Sequence, residues 1–184
     1  MQSFDKLWVL FQFSAVNRFH TERFIGEKPT VAHHSANVGL ILIELLGDKC
    51  SANLLRAALQ HDLEEGITGD IPAPVKWEAG EMLTKLEDRI QEHYEIKVPP
   101  LTVEEYQYLK AADVLEAVMT CLEQRRLGNT FIDNVFVRYE SYIRDSQLFE
   151  FNLPALRLWY SISGAYMTEM RRTPNPYINT NEFW

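Results

Sequence analysis

With 184 residues, 46% of them hydrophobic and 24% charged, the chain has the length and composition of one globular domain with a sizeable core. A formal net charge of -8 excludes a general nucleic-acid binder, which needs a basic stripe, but not a small anionic ligand held by a few local cations. No run approaches the ~20 apolar residues of a membrane span. The longest, Val38 to Leu46, is broken by Glu44. The start, Met1-Gln2-Ser3-Phe4-Asp5-Lys6, lacks the basic region and cleavage site of a signal peptide. Cys50 and Cys121 form no metal or redox motif. A cytoplasmic protein with reduced thiols is expected, without nucleic-acid or membrane partners.

Nearly every segment reads as helix, so the expected fold is all-α, one domain over residues 1–184 with a surface tail from about Thr173. Ser3 is placed to cap a first helix reaching about Val16, with Phe4, Leu7, Trp8, Leu10 and Phe11 as its apolar stripe. Asn17 to Pro29 is polar and breaks that period. Thr30 opens a second helix through Val31, Val38, Leu42 and Leu45, which Gly47 ends. Ser51 opens a third, running through His61 to about Glu65 and closed by Gly66. Thr68 to Pro74 holds too many breakers for regular structure and reads as a loop. A charged helix from about Trp77 to Tyr94 stops at Pro99-Pro100. Thr102 and Glu105 fit a capping box for a long helix to about Leu127, ended by Gly128-Asn129. Two amphipathic helices, about Ile132 to Arg144 and Leu153 to Arg171, complete the chain.

Four residues of metal-ligand type stand in these helices: His34, the adjacent His61 and Asp62, and Asp113. Two imidazoles and two carboxylates suit a hard-to-borderline divalent ion and leave coordination positions open for water and substrate. That points to metal-assisted hydrolysis in place of a structural zinc clamp. His61 and Glu65, at i and i+4, are expected on one helical face, where a carboxylate could shuttle a proton from metal-bound water. A lone buried His or Asp is more often structural, and a lone Lys is more often a solvated surface charge; the pattern as a whole carries the inference. Lys110, three residues before Asp113, shares nearly its face.

The segment His61-Asp62-Leu63-Glu64-Glu65-Gly66-Ile67-Thr68-Gly69-Asp70-Ile71-Pro72-Ala73-Pro74-Val75-Lys76 resembles the signature of YfbR-type 5'-deoxynucleotidases. It also resembles that of the phage dATP triphosphohydrolases of the DatZ type, both within the HD-domain phosphohydrolases. The likeness extends to Asn17-Arg18-Phe19, Val31-Ala32-His33-His34-Ser35 and Lys110-Ala111-Ala112-Asp113, covering roughly residues 10 to 130. It implies an HD-domain helical bundle with a metal site between core helices, His34, His61, Asp62 and Asp113 being the ligands. It further implies proton transfer by Glu65 and Asp70, and phosphate binding by Arg18, Lys76 and Lys110. Phe19 and the region of Pro74 would border sugar or base, and Thr68 would steady the loop or touch water or phosphate. Relatives form homo-oligomers, so one is expected here.

Two departures stand out. His33 replaces the Glu that usually precedes the first ligand, and Phe19 replaces a Trp of the sugar pocket. The second puts sugar discrimination in question and leaves the metal site untouched. His33 is expected exposed or behind the ligands. His20 is read as an exposed loop residue, with contact to nucleotide as the alternative, His93 as solvated, Trp8, Trp77 and Trp159 as core or interface filler, and Arg125-Arg126 as a helix-end charge pair facing water.

The expected activity is metal-dependent hydrolysis of 2'-deoxynucleotides. The preferred substrate is a dNTP, dATP foremost, cleaved to deoxynucleoside and triphosphate; the chain's modest length and brief C-terminal extension are nearer the phage type. The alternatives are a 5'-deoxynucleotidase acting on monophosphates, a hydrolase of cyclic or signalling nucleotides, and a nucleotide-sensing module without turnover. Zn, Co, Mn, Mg and Fe all suit the donor set. A phage-encoded protein acting in a host cytoplasm fits this reading.

Overall fold

The computed structural model describes residues 3–150 and 152–176, and within them the chain is helical. The helices are α1 (Ser3–Phe13), α2 (Val31–Leu46), α3 (Ala52–Ala58), α4 (Glu65–Thr68), α5 (Ala73–His93), α6 (Val103–Arg126), α7 (Asp133–Ser146) and α8 (Leu153–Arg172), with a 3-10 turn at Gly47–Lys49. Among the described residues the sole β feature is a single antiparallel bridge between Asn17 and Thr30. No described helix is long and apolar enough to cross a membrane.

The expected caps largely hold. Thr30 accepts from the His33 amide, Ser51 from that of Leu54, and Thr102 with Glu105 forms the reciprocal capping box. Gly47, with φ +54°, closes α2. The core is built on α6, which α2 and α8 flank. Leu115, Val118, Cys121 and Ile132 are buried with Phe136, Phe149 and Tyr166 on one side, and Val38, Leu42, Leu54 and Ala112 on the other. Because α6 is buried on almost every side, it presents no single apolar stripe.

Four expectations about elements need correction. The third helix does not run to Glu65: α3 ends at Ala58, and residues 59–64 form a chain of turns before α4. The ring of His61 donates to the Ala58 carbonyl at 2.8 Å, occupying the acceptor that the next helical amide would use. The proline-rich stretch is also less irregular than its breakers suggested. Pro72 caps α5 and Pro74 sits in its first turn, where a missing N–H costs nothing. The bend in α5 comes later, at Gly80, with φ +45°. Thirdly, α1 ends at Phe13, since Ser14 and Val16 are drawn into bonds with the Ala32 and Val31 amides at 3.0 and 2.8 Å.

The last correction concerns charge and the tail. Arg125 does not face water: it is 3% exposed and lies 3.2 Å from the buried Asp133 carboxylate. Arg126 is exposed as expected. Asn175 is buried too, donating to the Thr130 carbonyl at 2.9 Å and to Asp133 at 3.0 Å, so the tail starts pinned to the core. The rest of the expected surface tail, 177–184, lies outside the described residues. Trp159 is buried, whereas Trp8 is 54% exposed in a row with Phe4 and Phe11. The side chains of Ser3 and Trp77 lie outside the described set.

Candidate active site and metal centre

The site forms where α2, the 59–64 turns and α6 meet. The Nε2 atoms of His34 and His61 are 3.2 Å apart. Asp113 Oδ1 lies 3.3 and 3.9 Å from those nitrogens, and Asp62 Oδ2 lies 3.4 and 3.5 Å from them. His34, His61 and Asp113 present ligand atoms that all fall within 4.8 Å of one another. Around an ion bonded at ~2.1 Å, neighbouring ligands stand about 3.0–3.4 Å apart in octahedral or tetrahedral geometry. The observed spacings suit a divalent ion with little movement.

The donor chemistry fits as well. His61 Nδ1 donates to Ala58 O, and His34 Nδ1 donates to Glu116 Oε2 at 2.7 Å. With both Nδ1 atoms committed, each ring directs Nε2 at the same point, which is how metal-binding histidines are usually oriented. Glu116 is buried on α6 one turn beyond Asp113 and takes further bonds from Asn37 and Thr120. It was absent from the expected set. Its signal was a charged residue amid Leu115, Ala117 and Val118.

Burial disfavours charge throughout this cluster, and neighbouring charges overrule it. His34 is buried and also opposed by Arg18, yet the carboxylates of Asp113, Asp62 and Glu116 hold it well above the usual histidine value. Asp62 is desolvated, but His61, Lys76, His34 and Arg18 hold it well below the carboxylate range. Asp113 is likewise desolvated and held low by Lys110 and both imidazoles.

Glu65 behaves differently. Burial first, then the Asp62 charge, raise it to about 7 against the opposing pull of Lys76 and Arg18. Its Oε1 accepts from Lys76 Nζ at 2.7 Å, while its buried Oε2 has no hydrogen-bond partner. A carboxyl group poised near neutrality, with one oxygen free of hydrogen bonds and 4.0 Å from Arg18 Nη1, is suited to moving a proton.

Three cations ring the carboxylates. Arg18 Nη1 donates to Asp62 Oδ2 at 2.8 Å, Lys76 Nζ lies 3.6 Å from Asp62 Oδ1, and Lys110 Nζ lies 3.5 Å from Asp113 Oδ2. A cleft of about 230 Å³ opens beside them, walled by Phe19, Pro74, Val114 and Tyr139. A second, larger groove of about 810 Å³ is lined by His61, Asp62, Lys76 and Lys110 together with Glu64, Glu87 and Tyr106.

The loop from Asn17 to Pro29 carries Arg18 and Phe19 into the cleft. Phe19 has φ +53°, an unusual conformation for an aromatic residue. The loop is held from several directions. Asp70 Oδ2 accepts from the Phe19 amide at 2.9 Å, and Lys28 Nζ donates to the carbonyls of Phe19, His20 and Glu22 at 2.8–3.0 Å. Gln124 exchanges two bonds with Ile25, and Asn129 donates to Arg23 O.

The expected residues therefore divide. His34, His61, Asp62, Asp113, Glu65, Arg18, Lys76 and Lys110 converge. Phe19, Pro74 and Asp70 line the adjoining cleft, Asp70 with its carboxylate engaged by the Phe19 amide and 3.5 Å from His20. Thr68 turns to its own backbone, donating to Gly69 O at 2.9 Å. His33, His20 and His93 are exposed. Tyr139, Tyr142 and Arg138 of α7, which also line the cleft, were not anticipated, because their spacing reads as an ordinary amphipathic helix.

Residues 7–88 match the model of the family "5'-deoxynucleotidase YfbR-like". The chain is 31% identical over 106 residues to a 5'-deoxynucleotidase of Shewanella oneidensis, a match spanning 48% of this chain and about half, 54%, of that protein. It is 26% identical to the 5'-deoxynucleotidase yfbR of Photorhabdus temperata over 88% of this chain and 84% of the relative. Among solved structures it resembles the cyanophage S-2L HD phosphohydrolase (DatZ) bound to dA and one catalytic Zn2+ ion, with TM-score 0.62 and 19% identity over 91% of this chain and 98% of that one. It also resembles the PH0347 protein of Pyrococcus horikoshii, with TM-score 0.59 and 19% identity over 88% and 99%.

Proposed function

We propose that this chain, an HD-domain protein of the YfbR-like and DatZ-like type, hydrolyses the phosphate linkage of 2'-deoxynucleotides with the help of a divalent metal ion. The observation that carries the reading is the convergence of His34, His61 and Asp113 on one point, with Asp62 beside both imidazoles and Glu65 and three cations around it. The group would be held by those four side chains, and when bound it would supply a nucleophilic water and polarise the phosphoryl group. The cyanophage protein's zinc supports zinc as the first ion to test.

The chain's own residues supply the remainder. Glu65 accepts the proton of the attacking water through its free Oε2, and Lys76 at 2.7 Å stabilises the carboxylate before that transfer. Arg18, Lys76 and Lys110 hold the non-bridging phosphate oxygens as charge develops there. Asp70 assists Glu65 and, by its bond to the Phe19 amide, fixes the loop that delivers Arg18. Phe19 and Pro74 enclose the nucleoside, and Thr68 steadies the turn leading to Asp70.

Within this class we propose a dNTP, dATP foremost, as substrate, released as deoxynucleoside and intact triphosphate. Two cavities share Asp62, Lys76 and Lys110, so a nucleoside in the smaller cleft leaves the larger groove for further phosphates. The second reading is a 5'-deoxynucleotidase acting on monophosphates, favoured by the names of the relatives with the higher identities. The test is chromatography of products from the Zn²⁺- or Co²⁺-loaded protein incubated separately with dATP, dAMP, dGTP and ATP. Triphosphate from dATP with dAMP untouched supports the first; phosphate from dAMP with dATP inert supports the second. No product from any of them removes both and leaves a sensing module or a different phosphate substrate.

The proposal extends to a single domain built around α6, a cytoplasmic setting that suits the free Cys50 and Cys121, and a homo-oligomer. Exposed Phe4, Leu7, Trp8 and Phe11 on α1 offer apolar surface for a second copy, and light scattering on the purified protein reads the stoichiometry.

A further inference from the structure

We propose that Lys28 is a positioning residue, whose ammonium holds the turn beside Arg18 and so fixes the Arg18 guanidinium at the cluster. The inference rests on Arg18 being a ligand for the substrate's phosphate. Lys28 Nζ donates to the carbonyls of Phe19, His20 and Glu22 at 2.8, 3.0 and 3.0 Å. An ammonium has three protons to give, and here three acceptors of one turn receive them. The Glu22 amide closes that turn, donating to Phe19 O at 3.0 Å. Three carbonyl oxygens drawn to within hydrogen-bond distance of one point repel one another unless a cation stands there. Lys28 is that cation, supplied from the returning limb of the loop.

What the turn delivers is Arg18. The Arg18 amide donates to Pro29 O at 2.8 Å and Asn17 is bridged to Thr30, so the loop closes at a neck beside Phe19 and Lys28. Phe19 adopts φ +53°, a conformation that a residue other than glycine keeps when its surroundings enforce it. The Asp70 carboxylate takes its amide and Lys28 takes its carbonyl, at 2.9 and 2.8 Å, so both sides of the strained residue are held. Without Lys28, Phe19 is free to relax to negative φ and to turn the preceding side chain. Arg18 has little latitude for that. It is 8% exposed, with Nη1 2.8 Å from Asp62 and 4.0 Å from Glu65, and its buried Nε has no hydrogen-bond partner. A guanidinium meets a phosphate productively over a narrow range of geometry, and an error of about 1 Å costs on the order of 10²-fold in rate.

The experiment compares zinc-loaded wild type, Lys28→Met, Arg18→Lys and the double variant, with thermal melts to confirm that each folds. Hydrogen exchange reads the loop. In Lys28→Met the amides of Phe19 and Glu22 should exchange about tenfold faster or more, while that of Ile25, held by Gln124, keeps its wild-type rate. Kinetics read the consequence. In Lys28→Met, kcat/KM for a deoxynucleotide should fall about 10- to 100-fold, and the double variant should lose no more than Arg18→Lys alone. Wild-type exchange at Phe19 and Glu22 overturns the assignment, and so does an unchanged kcat/KM. Losses that multiply in the double variant also overturn it, since Lys28 would then act apart from Arg18. Should Lys28→Met not fold, Lys28→Arg is read in the same way, because it carries the charge on a planar fork unsuited to three convergent carbonyls. If wild type turns over no deoxynucleotide, the hydrolase reading falls, and the same cycle is run on calorimetric affinity for dAMP. A double variant no weaker than Arg18→Lys then supports the assignment; losses that multiply, or no binding by wild type, overturn it.

Discussion

His34 and His61 approach each other at 3.2 Å through their Nε2 atoms, each ring held from behind by a hydrogen bond from Nδ1. The two rings are tilted by 47° and meet at their Nε2 atoms, with the carboxylates of Asp62 and Asp113 beside them. The carboxylates of Asp113, Asp62 and Glu116 favour a proton on His34, holding it well above the ordinary histidine value. Ion binding must expel that proton. Metal affinity should therefore fall as pH drops below the raised His34 value, by about tenfold per unit for each proton displaced. Zinc titrations against a competing chelator across pH 6 to 8 check this; a flat profile contradicts it.

Glu116 orients His34 without facing the cluster itself. Glu116→Gln should weaken metal affinity about 10- to 100-fold, as expected for a residue behind a ligand, while leaving the helical circular-dichroism signal intact. Unaltered affinity would mean that packing alone orients the ring.

Glu65→Gln should retain metal and lose about 10²- to 10⁴-fold in kcat, the span expected when a general base is removed. Turnover near wild type with the metal still bound would contradict the proton-transfer role.

The same residue links pH to stability. Its folded value of about 7 lies above the ordinary 4.5, so its contribution is fully present below 4.5 and lost as pH rises through 7. In metal-free protein, the stability of Glu65→Gln relative to wild type should rise by on the order of 2–3 kcal/mol from pH 4.5 to pH 8. Urea unfolding at several pH values measures it, and a pH-independent difference would refute the raised value.

Gly66 touches Phe13 so closely that an added Cβ would stand 2.1 Å from the ring's Cγ. Gly66→Ala should destabilise by about 1–3 kcal/mol, and more if α1 is displaced. Since α4 begins at Glu65, kcat should fall further than the melting temperature alone explains. A variant as stable as wild type would show that α1 yields freely.

Much of this architecture was legible in the chain. Caps at Thr30, Ser51 and Thr102 are local chemistry, and most helices followed from them. What escaped depends on contacts distant in sequence. The break after Ala58 is made by the His61 ring, and nothing between Leu59 and Glu65 is a breaker by type. Arg125 looked like a solvated helix end until Asp133 folded against it. Glu116 and the cleft-lining Tyr139 occupy ordinary helical spacing, and they reach the site only once α2 and α7 pack against α6. The four ligand-type residues were legible because their identities, and not their surroundings, carried the signal.

Gln124 on α6 grips the loop of Arg18, while Lys110 and Asp113 on the same helix stand at the metal cluster. The stretch from Lys110 to Gln124 is continuous helix, about 21 Å at 1.5 Å per residue. It works as a gauge block. One inserted residue would lengthen it slightly but rotate everything beyond by about 100°, swinging Gln124 away from Ile25 while Asp113 stays in register. The tolerance of this site to change is set by angle along one rod far more than by distance.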